Sequence, residues 1–360
     1  TVGDDASGNP AATVVEKTGS ILPVADANGD YTLTNIAKTT SLILQKEYNG
    51  IDTGDATFQI TENGAILADP MVATADEKNK YVFANLQYGK TYTVVENAPT
   101  GYVGVKFTID VTTTDDDGNP IAKINDKVDG LTEGSQSAGY DYALVNKVKT
   151  TGFSFNKVFE ENRNTTTPSF VAYKKTKDGQ GVSQFEFAYQ NNDDNSYQYS
   201  IADGLEYGRT YVVMETNTPA GYETAAPFEI TIKLDEKEEA YAEVDLDNRK
   251  DIEVGGGVYT LTNYLKAAEY EIHYHYQQLD GSYLEDEKRS ADVVSTNVKV
   301  GDEATLLADS KNVKITTSSV YVFAFTGATD DTIVVENIND AKTILNVYFD
   351  LRFAVQYHWK

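Results

Sequence analysis

The 360-residue sequence contains no cysteine. Disulfide bonds, thiolate metal sites and cysteine nucleophiles are therefore excluded, although this absence leaves the compartment open. The sequence also lacks an apolar run of about 18 residues, the length that spans a bilayer as a helix, so we expect no membrane insertion of this segment. It begins at Thr1 with neither a methionine nor a leader sequence, and we expect it to be a mature or excised fragment.

Positive charge is scarce in the chain. Lys and Arg number 30 against 56 Asp and Glu, which gives a formal net charge of −26. Nucleic acids and anionic membrane surfaces are bound by clusters of Lys and Arg, so this balance argues against both partners. The 40% of hydrophobic residues indicates a globular chain. Tyrosine is abundant, with 25 residues, and leucine-rich helical periodicity is absent, which favours strands.

An internal repeat organises the sequence. The three similar stretches are YTLTNIAKTTSLILQKEY (31–48), YALVNKVKTTGFSFNKVF (142–159) and YTLTNYLKAAEYEIHYHY (259–276). In the first two, an asparagine is followed eleven residues later by a lysine, as Asn35 and Lys46 and again 111 residues on as Asn146 and Lys157. The third keeps Asn263 without such a lysine. Similarity at this fixed period predicts tandem domains of immunoglobulin size.

Each of these stretches predicts the last strand of one domain, a linker and the first strand of the next. Alternating runs between Gly, Asn and Asp turns predict an all-β fold of antiparallel sandwiches. The predicted parts are 1–37, the end of an upstream domain; 38–147 and 148–264, two complete sandwiches; 265–351, a smaller module; and 352–360, the start of another repeat. Within the first sandwich, the segment 129–141 is expected to be an exposed loop.

Each predicted sandwich carries one lysine, one glutamate and one asparagine on strand faces that are otherwise apolar. Side chains alternate along a strand, so Glu96 shares a face with Tyr92 and Val94. The same alternation places Lys46, Asn146, Lys157, Glu215 and Asn263 on inward faces. A buried Lys–Glu salt bridge with a hydrogen-bonded Asn is one interpretation, because buried charges are usually paired. A buried ion pair is weak evidence for stability, however, and its recurrence suggests that the chemistry is used.

That chemistry follows from burial, which lowers the pKa of lysine and raises that of glutamate. The neutral amine is a nucleophile, and the protonated carboxyl group can polarise the asparagine carbonyl. Attack with loss of ammonia would leave an isopeptide bond between the two side chains. Fixed proximity can supply about 7–11 kcal/mol of the barrier, which is enough for a reaction that occurs once.

The repeats resemble the Cna B-type, or SpaA-like, domains of Gram-positive pilins and surface adhesins. The glutamate stretches are similar to the family's Tyr-x-Leu-x-Glu-Thr-x-x-Pro-x-Gly-Tyr motif. In the second sandwich the matching residues are Tyr211, Glu215, Thr216, Pro219, Gly221 and Tyr222, with Val213 at the Leu position. In the first they are Tyr92, Glu96, Pro99, Gly101 and Tyr102, with Val94 for Leu and Asn97 for Thr. The lysine followed two residues later by an aromatic residue (Lys46/Tyr48, Lys157/Phe159) strengthens the likeness.

The resemblance implies prealbumin-like sandwiches closed by Lys46–Asn146 and Lys157–Asn263 bonds, with Glu96 and Glu215 as the catalytic acids. By analogy with disulfide loop closure, each bond would contribute about 4–5 kcal/mol against the unfolded state. The lysine that would match Asn35 lies before Thr1, so Asn35 is expected to be unbonded unless a neighbouring chain supplies the amine. The TVVE repeat suggests Glu16 as the counterpart of Glu96.

Residues 265–351 resemble the mucin-binding-type, β-grasp-like repeats found beside such domains. Aligning the module with the end of the chain places Tyr270 on Phe353 and His275 on His358, a repeat of 83 residues. His273 and His275 share a strand face, but cross-strand aromatic packing is preferred over zinc binding. The acidic turns DANGD and DDDGNP lack EF-hand spacing, and no cofactor motif is found.

The leading hypothesis is a structural stalk or shaft of a Gram-positive cell-surface or pilin-like protein, located outside the cell on the cell wall and surrounded by neighbouring domains or subunits. The alternative is an adhesin region that binds a host glycan or an extracellular-matrix protein. An enzyme acting on external substrates is not expected, because no phosphate loop, Ser/His/Asp set or nucleotide fingerprint is found. The proposed isopeptide formation would occur only once per domain. No cofactor or metal is assigned.

Overall fold

The structure is a computed structural model. It describes residues 2–4, 7–8, 10–12, 37–50, 54–67, 79–163, 166–176, 184–191, 196–286, 292–304, 321–328, 333–336 and 342–353. Asn35 and Glu16 lie outside the described residues, as do His358 and the other residues of 354–360. The all-β prediction is confirmed: 28 strands are accompanied by two short 3₁₀ turns, and no α-helix occurs in the described ranges.

The chain divides into two compact units, Thr1–Val148 and Lys149–Lys360. The strands of the first unit are β1 Val2–Asp4, β2 Pro10–Ala12, β3 Thr39–Asn49, β4 Thr57–Glu62, β5 Ala65–Ile66, β6 Lys80–Gln87, β7 Thr91–Asn97, β8 Lys106–Thr114, β9 Pro120–Ile124, β10 Leu131–Ser135 and β11 Tyr140–Lys147, with a 3₁₀ turn at Gln136–Ala138. β1 and β2 form an antiparallel pair of their own.

The other strands of the first unit form two sheets that face each other across one core. One sheet has the order β10-β11-β3-β6 and the other β5-β4-β7-β8-β9. The core lies between the sheets because every second residue points inward, as Leu42 and Leu44 do from β3 and Tyr92 and Val94 do from β7. Each sheet therefore presents one apolar face to the other.

Two features of the first sandwich differ from the sequence-based expectation. β3 and β11, the first and last strands, are parallel neighbours within an otherwise antiparallel fold. Strands so far apart in sequence are not joined by a hairpin and are free to pair in parallel. The segment 129–141 is also not simply a loop, because β10 pairs with β11 from Leu131↔Leu144 to Ser135↔Tyr140.

The second unit begins with a sandwich of the same design. Its strands are β12 Thr150–Phe159, β13 Phe170–Lys174, β14 Gln184–Glu186, β15 Ala188–Asn191, β16 Tyr197–Glu206, β17 Thr210–Glu215, β18 Phe228–Leu234, β19 Ala240–Val244, β20 Ile252–Gly255 and β21 Val258–Asn263, with a 3₁₀ turn at Glu160–Asn162. The sheet orders are β15-β16-β12-β21-β20 and β14-β13-β17-β18-β19. As in the first sandwich, the first and last strands, β12 and β21, are parallel neighbours.

The remainder of the second unit contains β22 Tyr270–Gln277, β23 Tyr283–Glu285, β24 Asp292–Val294, β25 Glu303–Ala304, β26 Tyr321–Ala328, β27 Ile333–Val334 and β28 Thr343–Phe353. The main sheet has the order β23-β22-β28-β26, β24 also pairs with β22, and β25 pairs with β27. β22 and β28 are parallel. This C-terminal module has its own core, to which Tyr274 and Phe349 contribute.

Candidate functional site: two buried lysine–glutamate–asparagine clusters

The first cluster lies where the two sheets of the first sandwich meet. Lys46 is on β3 and Asn146 on the parallel strand β11, in a register that pairs Lys46 with Leu144 and Tyr48 with Asn146. Lys46 and Asn146 thus project from neighbouring strands toward the core, two residues apart in register. Glu96 reaches the same place from β7 in the facing sheet. All three residues are buried.

The glutamate is the centre of this cluster. Its Oε1 lies 3.5 Å from the Lys46 ammonium. The Asn146 Nδ2 donates a hydrogen bond to the same Oε1 at 2.8 Å, and the Val105 amide donates to Oε2 at 3.2 Å. The Lys46 Nζ also donates to the Glu47 carbonyl at 3.0 Å. One carboxylate therefore contacts both the amine and the carboxamide.

Burial perturbs both ionisable groups of the first cluster. It lowers the pKa of the Lys46 amine to about 8, with the attraction of Glu96 acting in the opposite direction. Burial also raises the pKa of the Glu96 carboxyl group, although Lys46 and the hydrogen bond from Asn146 oppose the change. Both shifts move the pKa values toward physiological pH and so favour the neutral amine and the neutral acid.

The second cluster repeats the arrangement with Lys157 on β12, Asn263 on β21 and Glu215 on β17. The register pairs Lys157 with Leu261 and Phe159 with Asn263, which is the same offset as in the first sandwich. The Asn263 Nδ2 donates to Glu215 Oε1 at 2.8 Å and to Oε2 at 3.1 Å. The Ala225 amide donates to Glu215 Oε2 at 2.8 Å. Lys157 and Asn263 are fully buried.

The two lysines differ in their hydrogen-bond partners. The Lys157 ammonium donates to the carbonyl oxygens of Val158, at 2.7 Å, and Leu261, at 3.3 Å. Burial lowers the pKa of Lys157 to about 7, opposed by the negative charges of Glu215 and Asp251. Lys157 is therefore closer to a neutral amine at physiological pH than Lys46 is.

An aromatic ring lies beside each amine. The Lys46 Nζ is 4.2 Å from the centre of the Tyr48 ring, and the Lys157 Nζ is 4.3 Å from that of Phe159. Tyr102 and Tyr222, which close the turns after the glutamates, pack edge-on against these rings at 5.2 and 5.0 Å. The aromatic residue two positions after each lysine thus holds the amine within an apolar wall, which contributes to its desolvation.

Each asparagine has an unsatisfied carbonyl oxygen. Within the described part of the chain, Asn146 Oδ1 and Asn263 Oδ1 are buried and accept no hydrogen bond. An unsatisfied buried acceptor costs about 1–3 kcal/mol. A half-turn of either amide would direct Oδ1 at the glutamate, where a protonated carboxyl group could donate to it. The arrangement can therefore position an amine, an acid and a carboxamide for acyl transfer.

Other features of the clusters were not found from the sequence. The backbone amides of Val105 and Ala225 that bind the glutamates leave no residue-type signal. Asp251, whose charge acts on Lys157, was missed because it is not part of the repeat. The backbone carbonyl of Asp251 accepts a hydrogen bond from the Thr262 amide, one residue before Asn263, at 2.8 Å. In the first sandwich Gly130 occupies this position, because its carbonyl accepts from the Val145 amide, one residue before Asn146, at 3.0 Å.

The two histidines of β22 have partners within their own sheet. His275 stacks on Tyr348 at 4.9 Å, and its Nε2 lies 2.8 Å from Asn346 Oδ1. His273 lies between Glu271 and Glu285, at 3.2 and 2.9 Å. In the described ranges, no group of three or more His, Asp or Glu side chains is arranged to hold a metal ion. The described residues also form no helix that could span a bilayer.

Comparisons with known proteins concern mainly the first sandwich. Residues 40–128 match the family model described as SpaA, prealbumin-like fold domain. The prealbumin-like fold expected for this part of the chain is thereby supported. Comparison with curated proteins gives no match.

Several solved structures resemble the chain at low identity. The Bacillus anthracis TIE protein is 15% identical over 88% of this chain and 51% of its own, with a TM-score of 0.38. A C-terminal fragment of the pilus adhesin SpaC from Lactobacillus rhamnosus GG is 15% identical over 63% of this chain and 97% of its own, with a TM-score of 0.31. The major pilin protein (T-13) from Streptococcus pyogenes is 17% identical over 64% and 100%, with a TM-score of 0.23. The chain thus spans about half the length of the first of these proteins.

Proposed function

We propose that this chain is part of a structural stalk or shaft on the surface of a Gram-positive cell, in which each sandwich closes itself with a Lys–Asn isopeptide bond. The bonds would be Lys46–Asn146 and Lys157–Asn263. The observation that carries the proposal is the recurrence of one geometry: in each sandwich, the first and last strands bring a lysine and an asparagine to a single buried carboxyl group.

The reaction uses the groups of each cluster in fixed roles. The neutral lysine amine attacks the asparagine Cγ, while the protonated glutamate donates to Oδ1 and stabilises the developing negative charge. The bond from Cγ to Nδ2 then breaks. The glutamate, having passed its proton to Oδ1, takes a proton from the lysine nitrogen and delivers it to Nδ2, which leaves as ammonia; the proton on Oδ1 returns to the glutamate as the carbonyl re-forms. The product is a secondary amide, and the glutamate is protonated again.

A shaft is the use that such bonds favour in this chain. Each bond would join the first strand to the last across about a hundred residues, which corresponds to about 4–5 kcal/mol of loop-closure stabilisation. An amide is not broken by reduction, and it would support mechanical and proteolytic stability in a chain without cysteine. The SpaA-type match over residues 40–128 and the sequence motif favour a pilin-like role. Surface location, attachment to the cell wall and assembly with other subunits belong to the same proposal.

Intact mass spectrometry tests the bonds directly. The expected mass of the chain is lower than the sum of its residues by two ammonia molecules. Glu96→Ala and Glu215→Ala should each restore one, because each removes the acid of one cluster. Glu253→Ala, at an exposed carboxylate in β20, is the matched control and should leave both deficits. A wild-type chain of unmodified mass would refute the bonds and favour the buried salt-bridge interpretation.

An adhesin region is the second candidate, and one surface feature favours it. Tyr189 is 59% exposed and borders a cleft of about 470 Å³ with Gln184, Glu186 and Thr216. An exposed aromatic ring beside polar groups suits a sugar, since it offers both an apolar face and hydrogen-bond partners. Screening glycans and matrix proteins with the wild type and Tyr189→Ala tests this candidate. Mucin-type ligands belong in the screen because of the proposed likeness of the C-terminal module.

A further inference from the structure

A cleft of about 330 Å³ reaches the second cluster from the surface of its sandwich. Asn263 lines this cleft although the residue is only 1% exposed. The unsatisfied Oδ1 of Asn263 belongs to the carboxamide that the proposed reaction would cleave. The cleft therefore leads from solvent to the carboxamide whose nitrogen would leave as ammonia.

The opposite wall of the cleft contains a tightly held ion pair. The Arg249 guanidinium binds both oxygens of Asp251, from Nε at 2.9 Å and from Nη2 at 2.8 Å. Its Nη1 donates to the Pro227 carbonyl at 2.7 Å, and the guanidinium lies over the Phe228 ring at 5.6 Å. With each guanidinium nitrogen occupied, Arg249 is fixed against the sandwich and keeps this wall polar.

We propose that this cleft is the path by which ammonia leaves Asn263, with Asp251 and Arg249 as its polar wall. The inference rests on the proposed function. Ammonia that stays beside the new amide can attack its carbonyl carbon and expel the lysine amine again, so its departure makes the reaction irreversible. Ammonia is both a hydrogen-bond donor and a base, and the Asp251 carboxylate can accept from it on the way out.

The first sandwich cannot contain the same wall. Gly130 takes the place of Asp251, and a Cβ added there would lie 2.2 Å from the Val145 carbonyl oxygen. Val128 stands two residues before Gly130, as Arg249 stands two residues before Asp251, and it is an apolar residue that packs against the core. The Lys46–Asn146 reaction would therefore proceed without this path, and it provides an internal reference in the same molecule.

Filling the cleft from its rim tests the proposal. Ala226 is exposed and lines the cleft, so Ala226→Trp should narrow the path without replacing any residue of the cluster. Ala188→Trp, at an exposed alanine of β15 in the same sandwich, is the matched control. Thr224→Trp fills the cleft from another position on the rim and provides an independent test if Ala226→Trp fails to fold. The full chain is made in a short cell-free pulse, so that every molecule starts unreacted, and samples are quenched with acid over time.

The readout is the ratio of the two crosslinked peptides after digestion. We expect Ala226→Trp and Thr224→Trp to slow formation of the Lys157–Asn263 bond about tenfold relative to formation of the Lys46–Asn146 bond. Ala188→Trp should leave the ratio of the two crosslinked peptides unchanged. An unchanged ratio in both rim variants would overturn the path. So would an equal slowing by Ala188→Trp, which would indicate a general effect of added bulk. If the wild type loses no ammonia, the proposed function fails and the path fails with it.

Discussion

At the scale of single residues, the most informative difference is between two lysines in equivalent positions. Lys46 is paired with Glu96 at 3.5 Å, whereas the described hydrogen bonds of Lys157 end on backbone carbonyls. Burial outweighs the attraction of the nearby carboxylates in both, and it lowers the pKa to about 8 for Lys46 and about 7 for Lys157. Since only the neutral amine is a nucleophile, the two sites should respond differently to pH.

The pH dependence of bond formation follows from these values. At pH 7 roughly half of the Lys157 amines and about a tenth of the Lys46 amines would be neutral. The Lys157–Asn263 bond should therefore form several-fold faster near pH 7, and the gap should close above pH 8 as Lys46 also loses its proton. Timed refolding of unreacted chain with peptide mass analysis measures both rates, and equal rates at pH 7 would contradict the prediction.

At the scale of strands, both clusters depend on the parallel pairing of a first and a last strand. The β3–β11 ladder places Asn146 two residues beyond Lys46 in register on the same face of the sheet, and the β12–β21 ladder does the same for Asn263 and Lys157. Position on a parallel ladder decides which side chains are neighbours. A shift of one residue would turn either side chain away from the core.

Gly130 offers a test of how tightly β11 is held. It has φ +78° and accepts a hydrogen bond from Val145 of β11. An added Cβ would lie 2.2 Å from the Val145 oxygen. Gly130→Ala should therefore lower the free energy of unfolding, measured with urea, by about 1–3 kcal/mol more than the control substitution does. The control is Gly118→Ala, with φ +74° but no atom closer than the flexible Lys38 Nζ at 3.8 Å. Equal losses of unfolding free energy in the two variants would mean that the backbone around Gly130 shifts to accommodate the Cβ at no cost.

Much of this arrangement was predictable because alternation shows in the sequence. The strand TYTVVEN places Tyr92, Val94 and Glu96 on one face, and that face is buried. The partner and direction of β3 were not predictable, because a two-residue period gives the inward face and not the neighbour. β10 was missed because LTEGS has exposed or half-exposed residues throughout and lies at the edge of its sheet, paired with β11. Asp251 was missed because the repeat has glycine in its place.

At the scale of the whole molecule, the second sandwich and the C-terminal module are joined by a network of charged groups. The Leu265 amide donates to the Glu160 carboxylate at 2.9 Å, and Lys299 pairs with the same carboxylate. Arg163 donates to the Val300 carbonyl at 2.8 Å and to Asp302 at 2.7 Å. Glu160 is close to the second cluster, because the Tyr222 hydroxyl donates to its backbone carbonyl at 2.9 Å.

Removing Glu160 should loosen this junction. Glu160→Ala leaves Lys299 and the Leu265 amide without their acceptor, and we expect a loss of about 1–3 kcal/mol in the unfolding of the C-terminal module. The hydrogen bond from Lys299 holds the pKa of Glu160 below its ordinary value. Its contribution is therefore present above the ordinary carboxyl pKa and is lost as the pH falls through the lowered value. Thermal unfolding and limited proteolysis around residue 266 measure the effect, with Glu253→Ala as control. Unchanged cleavage would show that the junction does not depend on this carboxylate.

The parallel terminal strands have a mechanical consequence. When a chain is pulled by its ends, a group whose first and last strands are parallel neighbours is loaded in shear, so all the hydrogen bonds of that ladder share the force. The ladder between β22 and β28 runs from Tyr270↔Thr343 to Tyr276↔Phe349, and β22 contains no lysine that could close it covalently. With both sandwiches closed by the proposed isopeptide bonds, extension under load should begin in the C-terminal module. Its hydrogen-bonded ladder can open and re-form, whereas the covalently closed sandwiches cannot lengthen.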